Sequence, residues 1–357
     1  MTPSQVFEKY GIYSVAHPHG DGHINSTFVD DRCRYILQRI NTAIFSDADR
    51  LMDNVKSVTD FIRKKVAEQG GDPNRETLTV VPTLDGKSCY EADDGTTWRV
   101  YTFVPDTYSV TVCKNPHELY EAGRAFGRFQ RMLSDFPADK LYESIPNFHN
   151  TPWRLENLKQ AITEDKVGRV KDAEDEIAFA FSREKDASVV TDAIKGGEVV
   201  LRVTHNDTKL NNVLFDKKTD KALCVVDLDT VMAGSVLYDF GDALRSGANT
   251  AAEDETDLSL VKFDLESFRN FAEGFLGETL SVLTEKEIEL LPFSAKLMTY
   301  ECGCRFLTDH LNGDTYFRIH REGHNLDRAK AQFALLRDIE LKLGDMKKIV
   351  DEIVAKA

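Results

Sequence analysis

The most constraining feature of this 357-residue sequence is a pair of short apolar segments that end in acidic and amide side chains. The first continues into a His-x-Asp-x-Lys-x-x-Asn pattern that contains Asp207, Lys209 and Asn212. The second is an apolar run that ends at Asp227. Phosphoryl transfer needs a carboxylate near the acceptor and hard oxygen ligands for Mg²⁺, because the protein mainly positions groups and neutralises charge. The two segments therefore predict a phosphoryl-transfer site on a rigid sheet.

Each group in this pattern has an expected role. We expect Asp207 to be the general base and Lys209 to be a phosphate-facing cation, with Asn212 and Asp227 as the metal ligands. Kinase catalytic loops use the same order of groups. A His-x-Asp tripeptide alone is better explained by a helix-capping Asp beside a core His. The full pattern, together with the strand that ends at Asp227, outweighs that alternative.

The N-terminal segment contains paired glycines between two expected strands, at 19–29 and 34–40. Glycines at 20 and 22 would allow backbone N–H groups to approach a triphosphate closely. Taken alone, the segment is better explained as a plain hairpin with a Gly-Asp-Gly turn, and only the later motif favours a phosphate loop.

A helix should follow the first two strands, because apolar residues recur at 51, 55, 58 and 62 and Ser46 or Asp47 can cap it. Further strands are expected at 77–83, 87–92 and 98–105, the last leading into a kinase-like hinge beside Phe103.

The second part of the chain is predicted to be rich in helices. Asn115, Pro116 and Glu118 form a helix start, with a core-facing stripe behind it at 119, 122, 126, 129 and 133. Segments 212–215 and 223–227 should form a hairpin that carries both metal ligands, and Asp239 or Asp242 either tethers the catalytic loop or caps a helix near 243. Other helices are expected near 153–166, 172–184, 187–195, 264–277, 285–312 and 325–355.

These elements predict an α+β, bilobal protein-kinase-like fold. The predicted N-lobe, residues 1–104, has an antiparallel sheet, a helix and the ATP-phosphate loop, and the predicted C-lobe, residues 105–357, is helical and has the catalytic loop and acceptor pocket.

The composition restricts the binding partners and the cellular compartment that we expect for this protein. A net charge of −15 argues against nucleic acid as a partner, because phosphate backbones are bound by clustered Lys and Arg. The sequence has no apolar run of 18 residues and no secretion signal at its start, which predicts a cytoplasmic protein without a membrane partner. Six scattered cysteines are expected to be buried free thiols.

Residues 19–28, 205–212 and 227–242 resemble the aminoglycoside phosphotransferase and choline kinase superfamily. Within it, the match is closer to kinases of N-acetylhexosamines, including segments 35–38, 291–294 and 301–307. That resemblance implies an enzyme that uses ATP and Mg²⁺ to phosphorylate the anomeric hydroxyl of N-acetylglucosamine or N-acetylgalactosamine. A small-molecule sugar would be its substrate, and the protein would be a monomer or a weak homo-oligomer.

The resemblance also implies the site residues by position. The nucleotide would contact Gly20, Asp21, Gly22, Asn25, Gln38, Arg39 and Phe103. The sugar would contact His23, Asp229, Thr230, Arg305 and Tyr316. Two of these have simpler explanations, since Arg305 is also a typical ion-pairing residue of a helix and His23 is also a typical strand-end histidine.

The sequence departs from the wider kinase pattern at two positions. Gln38, followed by Arg39, occupies the strand position of the phosphate-binding Lys, and Asn54 stands where a helix Glu is expected. Either Arg39, Lys209 and a second Mg²⁺ compensate, or the chain only binds nucleotide. The rival predictions are therefore a silent nucleotide-binding protein and another small-molecule kinase of this fold, acting on choline, homoserine, methylthioribose or an aminoglycoside.

Overall fold

The computed structural model describes residues 1–20, 24–113 and 115–356. The elements of its N-terminal part are α1 (Pro3–Glu8), β1 (Ala16–Pro18), β2 (Ser26–Asp30), β3 (Tyr35–Ile40), α2 (Ala48–Glu68), β4 (Val80–Val81), β5 (Tyr90–Glu91) and β6 (Thr97–Thr102). The strands form an antiparallel sheet with the order β1-β2-β3-β6-β4, in which β5 also pairs with β6. All of these elements fall within the predicted N-lobe, although the boundary at residue 104 stays a prediction.

The strands expected at 77–83 and 87–92 are each reduced to two residues. A turn replaces the rest, because the backbone N–H groups of Thr83 and Lys87 are used locally: Thr83 N donates to Lys87 O, and Lys87 N donates to the Thr83 hydroxyl. Those groups are therefore lost to the sheet.

Helix α2 begins where a side chain can accept from its first turn. The Asp47 carboxylate accepts from Arg50 N, so Asp47 is the cap. The predicted apolar stripe at 51, 55, 58 and 62 is buried. It shares one hydrophobic core with β3, with Phe129 and Leu133 of the next helix, and with Val203 and Leu228 beside the catalytic segments. The two parts of the protein are thus packed against each other through α2.

The C-terminal part is mainly helical, as predicted, which confirms the α+β class. Its helices are α3 (Pro116–Met132), α4 (Thr151–Glu164), α5 (Glu174–Phe181), α6 (Val189–Lys195), α7 (Val236–Gly247), α8 (Leu265–Thr279), α9 (Glu285–Leu311) and α10 (His324–Lys356). Helices α3 and α8 pack closely, because a Cβ at Gly123 would lie 2.2 Å from Phe271 O and one at Gly274 would lie 2.0 Å from Tyr120 O. None of the helices in the described part of the chain is long and apolar enough to cross a membrane.

Two small sheets hold the segments that the sequence singled out. The strands are β7 (Thr107–Ser109), β8 (Arg202–Thr204), β9 (Val213–Asp216), β10 (Ala222–Val225) and β11 (Met232–Gly234). The predicted hairpin is present as β9 and β10, and β8 pairs with β11. This pairing sets Thr204 against Met232, so the start of the catalytic loop and the segment after Asp227 lie side by side.

One helix start differs from the prediction. Helix α7 begins at Val236, and not near 243, because the Ser235 side chain accepts from Leu237 N and caps it. All six cysteines are free.

Candidate active site

The catalytic loop after β8 is held in place by a buried carboxylate on α7. Asp239 accepts from His205 N at 2.9 Å and from Asn206 N at 2.7 Å. The Gln130 amide nitrogen Nε2 completes the arrangement by donating to Asp239 at 2.6 Å. Of the two roles open to Asp239 from the sequence, tethering the loop is therefore the one observed. Asp242 assists, since it accepts from Thr208 N at 3.2 Å.

His205 joins the loop to the end of β10. Its Nδ1 accepts from Asp207 N at 3.3 Å, so Nε2 carries the proton and donates to Val226 O at 2.9 Å. The ring is fully buried against the edges of Phe126 and Phe129. This core histidine has no room for a ligand, and its effect is to set the distance between Asp207 and the segment that contains Asp227.

The Asp207 carboxylate is ionised and partly exposed, at the junction of the catalytic loop, the segment of Asp227–Asp229 and strands β3 and β6, which we call the cleft. It lies 2.8 Å from Lys209 Nζ and accepts from Asn212 Nδ2 at 3.2 Å. Burial alone would raise the pKa of Asp207, but the charge of Lys209 and its hydrogen bond outweigh burial and lower that pKa below its ordinary value. The side chain remains 25% exposed. A charged, accessible carboxylate is what a general base requires.

Asn212 and Asp227 leave oxygen atoms free beside this carboxylate. Asn212 uses its Nδ2 on Asp207, and its Oδ1 has no hydrogen bond with a described residue. Asp227 has left-handed backbone geometry, with φ of 62°, and its side chain makes no hydrogen bond or ion pair with a described residue. Asp227 is an exposed residue, but desolvation by the surrounding protein, followed by the negative charges of Asp229 and Asp207, raises its pKa to about 6. This uncompensated negative charge favours a cation.

These residues fit Mg²⁺. Mg²⁺ takes one or two protein oxygens and completes its shell with water and substrate phosphates. Across the described ranges, no three His, Cys, Asp or Glu side chains form a self-sufficient metal site. A carboxylate with one amide oxygen is therefore suited to a metal that arrives together with phosphate groups.

The N-terminal wall of the cleft is built around an arginine that sequence reasoning missed. Arg99 on β6 is only 1% exposed and pairs with the buried carboxylate of Asp229. It also donates to Gln38 Oε1, at 3.0 Å from Nε and 2.8 Å from a terminal nitrogen. Asn25 Nδ2 donates to the other Asp229 oxygen at 2.6 Å. Gln38 and Arg99 are direct partners in the pairing of β3 with β6, and this pairing was the one signal that could have pointed to Arg99.

The other residues expected at the nucleotide site lie around this wall. Arg39 is exposed and its guanidinium is 3.4 Å from the Ser26 hydroxyl. Gly20 has φ of 69°, and the neighbouring His19 contacts the ring edge of Phe103 at 6.1 Å, so the start of the glycine segment lies over the end of β6. Asp21, Gly22 and His23 lie outside the described residues.

Two residues expected to contact the sugar are engaged by the protein. Both carboxylate oxygens of Asp229 have partners, as described above. The Thr230 hydroxyl donates to His205 O at 2.6 Å, and Thr230 O accepts from Asn206 Nδ2 at 2.8 Å. In the structure, these two residues support the cleft wall and the catalytic loop.

Arg305 and Tyr316 line a cavity of about 160 Å³ in the helical part of the protein. The Arg305 guanidinium lies between the rings of Phe148 and Phe317, at 5.1 and 5.5 Å from their centroids. It has no hydrogen bond or ion pair with a described residue, so the ion-pairing explanation of Arg305 does not hold. The Asp309 carboxylate positions the segment with Tyr316, because it accepts from the backbone N–H groups of residues 315–317.

A second arginine in this cavity was not found from the sequence. Arg154 on α4 donates to Phe148 O at 3.1 and 2.7 Å. Burial, and then the positive charge of Arg305, lowers the pKa of Arg154 to about 10. A lone Arg near a helix start carries no functional signal in the sequence. The cavity thus combines two guanidinium groups whose charges repel each other.

One histidine connects this cavity to the catalytic loop. His149 lies 2.8 Å from Glu301, one helical turn before Arg305, and its Nε2 is 3.2 Å from Asn206 O. His149 therefore bridges the catalytic loop and α9, the helix that carries Arg305.

Solved structures with this fold match most of this chain. An aminoglycoside phosphotransferase from Alicyclobacillus acidocaldarius is 14% identical, with a TM-score of 0.63 over 99% of this chain and 97% of that one. A spectinomycin phosphotransferase in complex with ADP and spectinomycin is 14% identical, with a TM-score of 0.60 over 96% and 97%. A Plasmodium vivax ethanolamine kinase is 14% identical, with a TM-score of 0.53 over 89% and 82%.

The fold is therefore that of the kinase-like small-molecule phosphotransferases. The profile of the phosphotransferase enzyme family, APH, matches residues 15–271, and this chain belongs to that family. The match spans the glycine segment, the catalytic loop and Asp227.

Proposed function

We propose that this protein is an N-acetylhexosamine 1-kinase, which transfers the γ-phosphoryl group of ATP to O1 of N-acetylglucosamine or N-acetylgalactosamine. Asp207 accepts the proton of the anomeric hydroxyl as the O1–P bond forms and the bond to ADP breaks. Lys209 neutralises charge on the γ-phosphoryl group. Asn212 and Asp227 would hold Mg²⁺, which supplies charge neutralisation on the β- and γ-phosphates.

Nucleotide use is supported by the relatives and by the free groups of the cleft. Fold relatives have been solved with ADP, ATP and GDP. In this chain, a phosphate-bound cation would neutralise the charge that raises the pKa of Asp227 and would give the unpartnered oxygen of Asn212 a ligand role. We therefore expect a nucleoside triphosphate, with ATP as the donor.

The observation that carries the acceptor assignment is Arg305. Its guanidinium is stacked between Phe148 and Phe317 and makes no polar contact with a described residue. Such an arginine offers donors in a fixed orientation to oxygen atoms, which suits ring hydroxyls and an acetamido carbonyl. The exposed Tyr316, with 54% of its surface accessible, adds a hydroxyl at the same pocket.

The charge of this pocket disfavours the amino compounds named for several relatives. Those relatives include an aminopropanol kinase and an ethanolamine kinase. A cationic acceptor would meet Arg154 and Arg305, while the nearby carboxylates are already occupied: Glu301 by His149 and Thr151, and Asp309 by backbone N–H groups. Choline and aminoglycosides are disfavoured for the same reason, whereas a neutral sugar is not.

The proposal is tested by measuring ADP release with N-acetylglucosamine, N-acetylgalactosamine, glucose, choline and kanamycin as acceptors. We expect turnover with the two N-acetyl sugars only, and ³¹P NMR should show the phosphate on the anomeric carbon. Turnover with choline or kanamycin instead would reassign the acceptor. ATP binding without turnover on any acceptor would identify a silent nucleotide-binding protein.

A variant of the pocket separates acceptor binding from nucleotide binding. Arg305→Met keeps a similar volume between the two rings and removes the donors. Because a hydrogen bond to a charged group contributes about 1.5–3 kcal/mol, KM for the sugar should rise by roughly one to two orders of magnitude, with KM for ATP unchanged. Arg328→Met is the matched control, since Arg328 also stacks on a ring, that of Phe306, but on α10.

A further inference from the structure

Arg99 is a buried cation whose nitrogen atoms are all used inside the cleft wall. One terminal nitrogen pairs with Asp229, and Nε and the other terminal nitrogen donate to Gln38 Oε1. Two of these three nitrogens contact Gln38, the residue at the strand position where kinases carry a phosphate-binding Lys.

The contact with Arg99 determines which way the Gln38 amide points. A guanidinium has donors only, so the atom of Gln38 that faces it must be the amide oxygen. The amide nitrogen is then turned away from Arg99, where it donates to the Thr27 hydroxyl at 3.1 Å. Its second N–H makes no hydrogen bond with a described residue and stays available to a ligand.

We propose that Arg99 is a positioning residue for the nucleotide phosphates: it orients Gln38 so that an amide N–H, in place of an ammonium, faces the triphosphate. This inference rests on the proposed function only in requiring a triphosphate over β3, and it is independent of the sugar. Asp229 neutralises Arg99 and accepts from Asn25, and it connects the arrangement to Asp227, two residues earlier.

The pairing also explains the departure from the kinase pattern. A lysine at position 38 would place a second cation beside the buried Arg99, and like charges repel there. The identities of residues 38 and 99 are therefore coupled. The neutral Gln38 amide accepts from Arg99 through its oxygen and still has an N–H group to donate.

Nucleotide binding to the full-length protein, measured by calorimetry with Mg-ATP and no sugar, tests this role. In Gln38→Glu, a carboxylate still accepts from Arg99, so the melting temperature should be kept or raised. The phosphates, however, would face an anionic oxygen in place of an N–H group, and we expect Kd for ATP to rise at least about tenfold. A purely structural role for the pair predicts an unchanged Kd for ATP, because the contact between residues 38 and 99 would be kept or strengthened.

Two further variants separate orientation from charge. Arg99→Lys keeps the charge beside Asp229 but loses the two-pronged contact with Gln38, so Kd and KM for ATP should rise by roughly three- to tenfold, with kcat changed less. The matched control is Arg128→Lys, because Arg128 on α3 also forms an ion pair between the two parts of the protein, with Glu76 at 2.7 Å. We expect that control to leave Kd unchanged.

An exchange variant provides a rescue. Arg99→Gln alone leaves Asp229 without its cation. Arg99→Gln combined with Gln38→Lys supplies a cation again, on β3 in place of β6. The double variant should bind ATP more tightly than Arg99→Gln.

The outcomes distinguish this inference from the proposed function. Unchanged Kd in both Gln38→Glu and Arg99→Lys, or an equal rise in Arg128→Lys, overturns the positioning role even if the wild type phosphorylates sugars. Loss of ATP affinity in the two cleft variants supports it even if no sugar is turned over. A wild-type protein that binds no ATP overturns both.

Discussion

The two walls of the cleft obtain their charges in different ways. On the C-terminal wall, the groups that act on phosphate are close in sequence: Lys209 is two residues and Asn212 five residues after Asp207. On the N-terminal wall, Arg99 is 61 residues from Gln38 and 130 residues from Asp229. The first wall is thus a local motif, and the second is a set of long-range pairs. The chemistry should depend mainly on the first wall and nucleotide placement mainly on the second.

The largest effect should come from the local motif. Asp207→Asn removes the proton acceptor, and general-base catalysis contributes roughly two to four orders of magnitude to kcat. ATP binding should persist, because the pairs on the opposite wall are intact. The measurement is ADP release with N-acetylglucosamine beside calorimetry with ATP. Retained turnover would exclude Asp207 as the base.

The next effect concerns the tether of the same loop. Asp239→Ala leaves His205 N and Asn206 N without an acceptor in a buried site, which costs about 1–3 kcal/mol for each group. We expect the free energy of unfolding, measured with urea, to fall by about 2–6 kcal/mol, and kcat to fall with it. A stable, fully active variant would show that the loop holds its geometry without α7.

A smaller effect should come from Asp227, which lies between the two walls. Asp227→Ala removes the free carboxylate, so the Mg²⁺ concentration for half-maximal rate should rise roughly tenfold or more. Asp220→Ala is the control, because Asp220 is an exposed acid on the same hairpin. Identical Mg²⁺ curves for Asp227→Ala and the wild type would remove Asp227 from the metal site.

The smallest effect should come from Asn54, at the position where kinases have a helix Glu. Its side chain donates to Tyr142 O and Val231 O and accepts from Tyr142 N, so it attaches α2 to the C-terminal part and forms no ion pair. Asn54→Ala should lower the free energy of unfolding by about 1–3 kcal/mol and change Kd for ATP less than threefold. A larger loss of ATP affinity would contradict this comparison of the two walls, because Asn54 would then help to position the nucleotide as Arg99 does.

The same contrast explains what the sequence could predict. The spacing from Asp207 to Asn212 is a local pattern, and so are the helix starts at Asp47 and Asn115; each of these could be found without knowing the fold. Arg99, Arg154 and the contact of His149 with Glu301 could not, because in each case the interacting residue is more than 100 residues away and only the folded chain brings the two together. The start of α7 was missed for a smaller reason, since Ser235 was not recognised as its cap.

The stacking of Arg305 between Phe148 and Phe317 has a thermodynamic consequence. An arginine held by an internal carboxylate must exchange that partner for the incoming molecule, so much of the new interaction only replaces an old one. Arg305 is kept in position by aromatic surfaces that remain in contact when a ligand enters. Its freedom of motion is already restricted before the encounter, so binding costs less side-chain entropy and its donors exchange only water for the ligand.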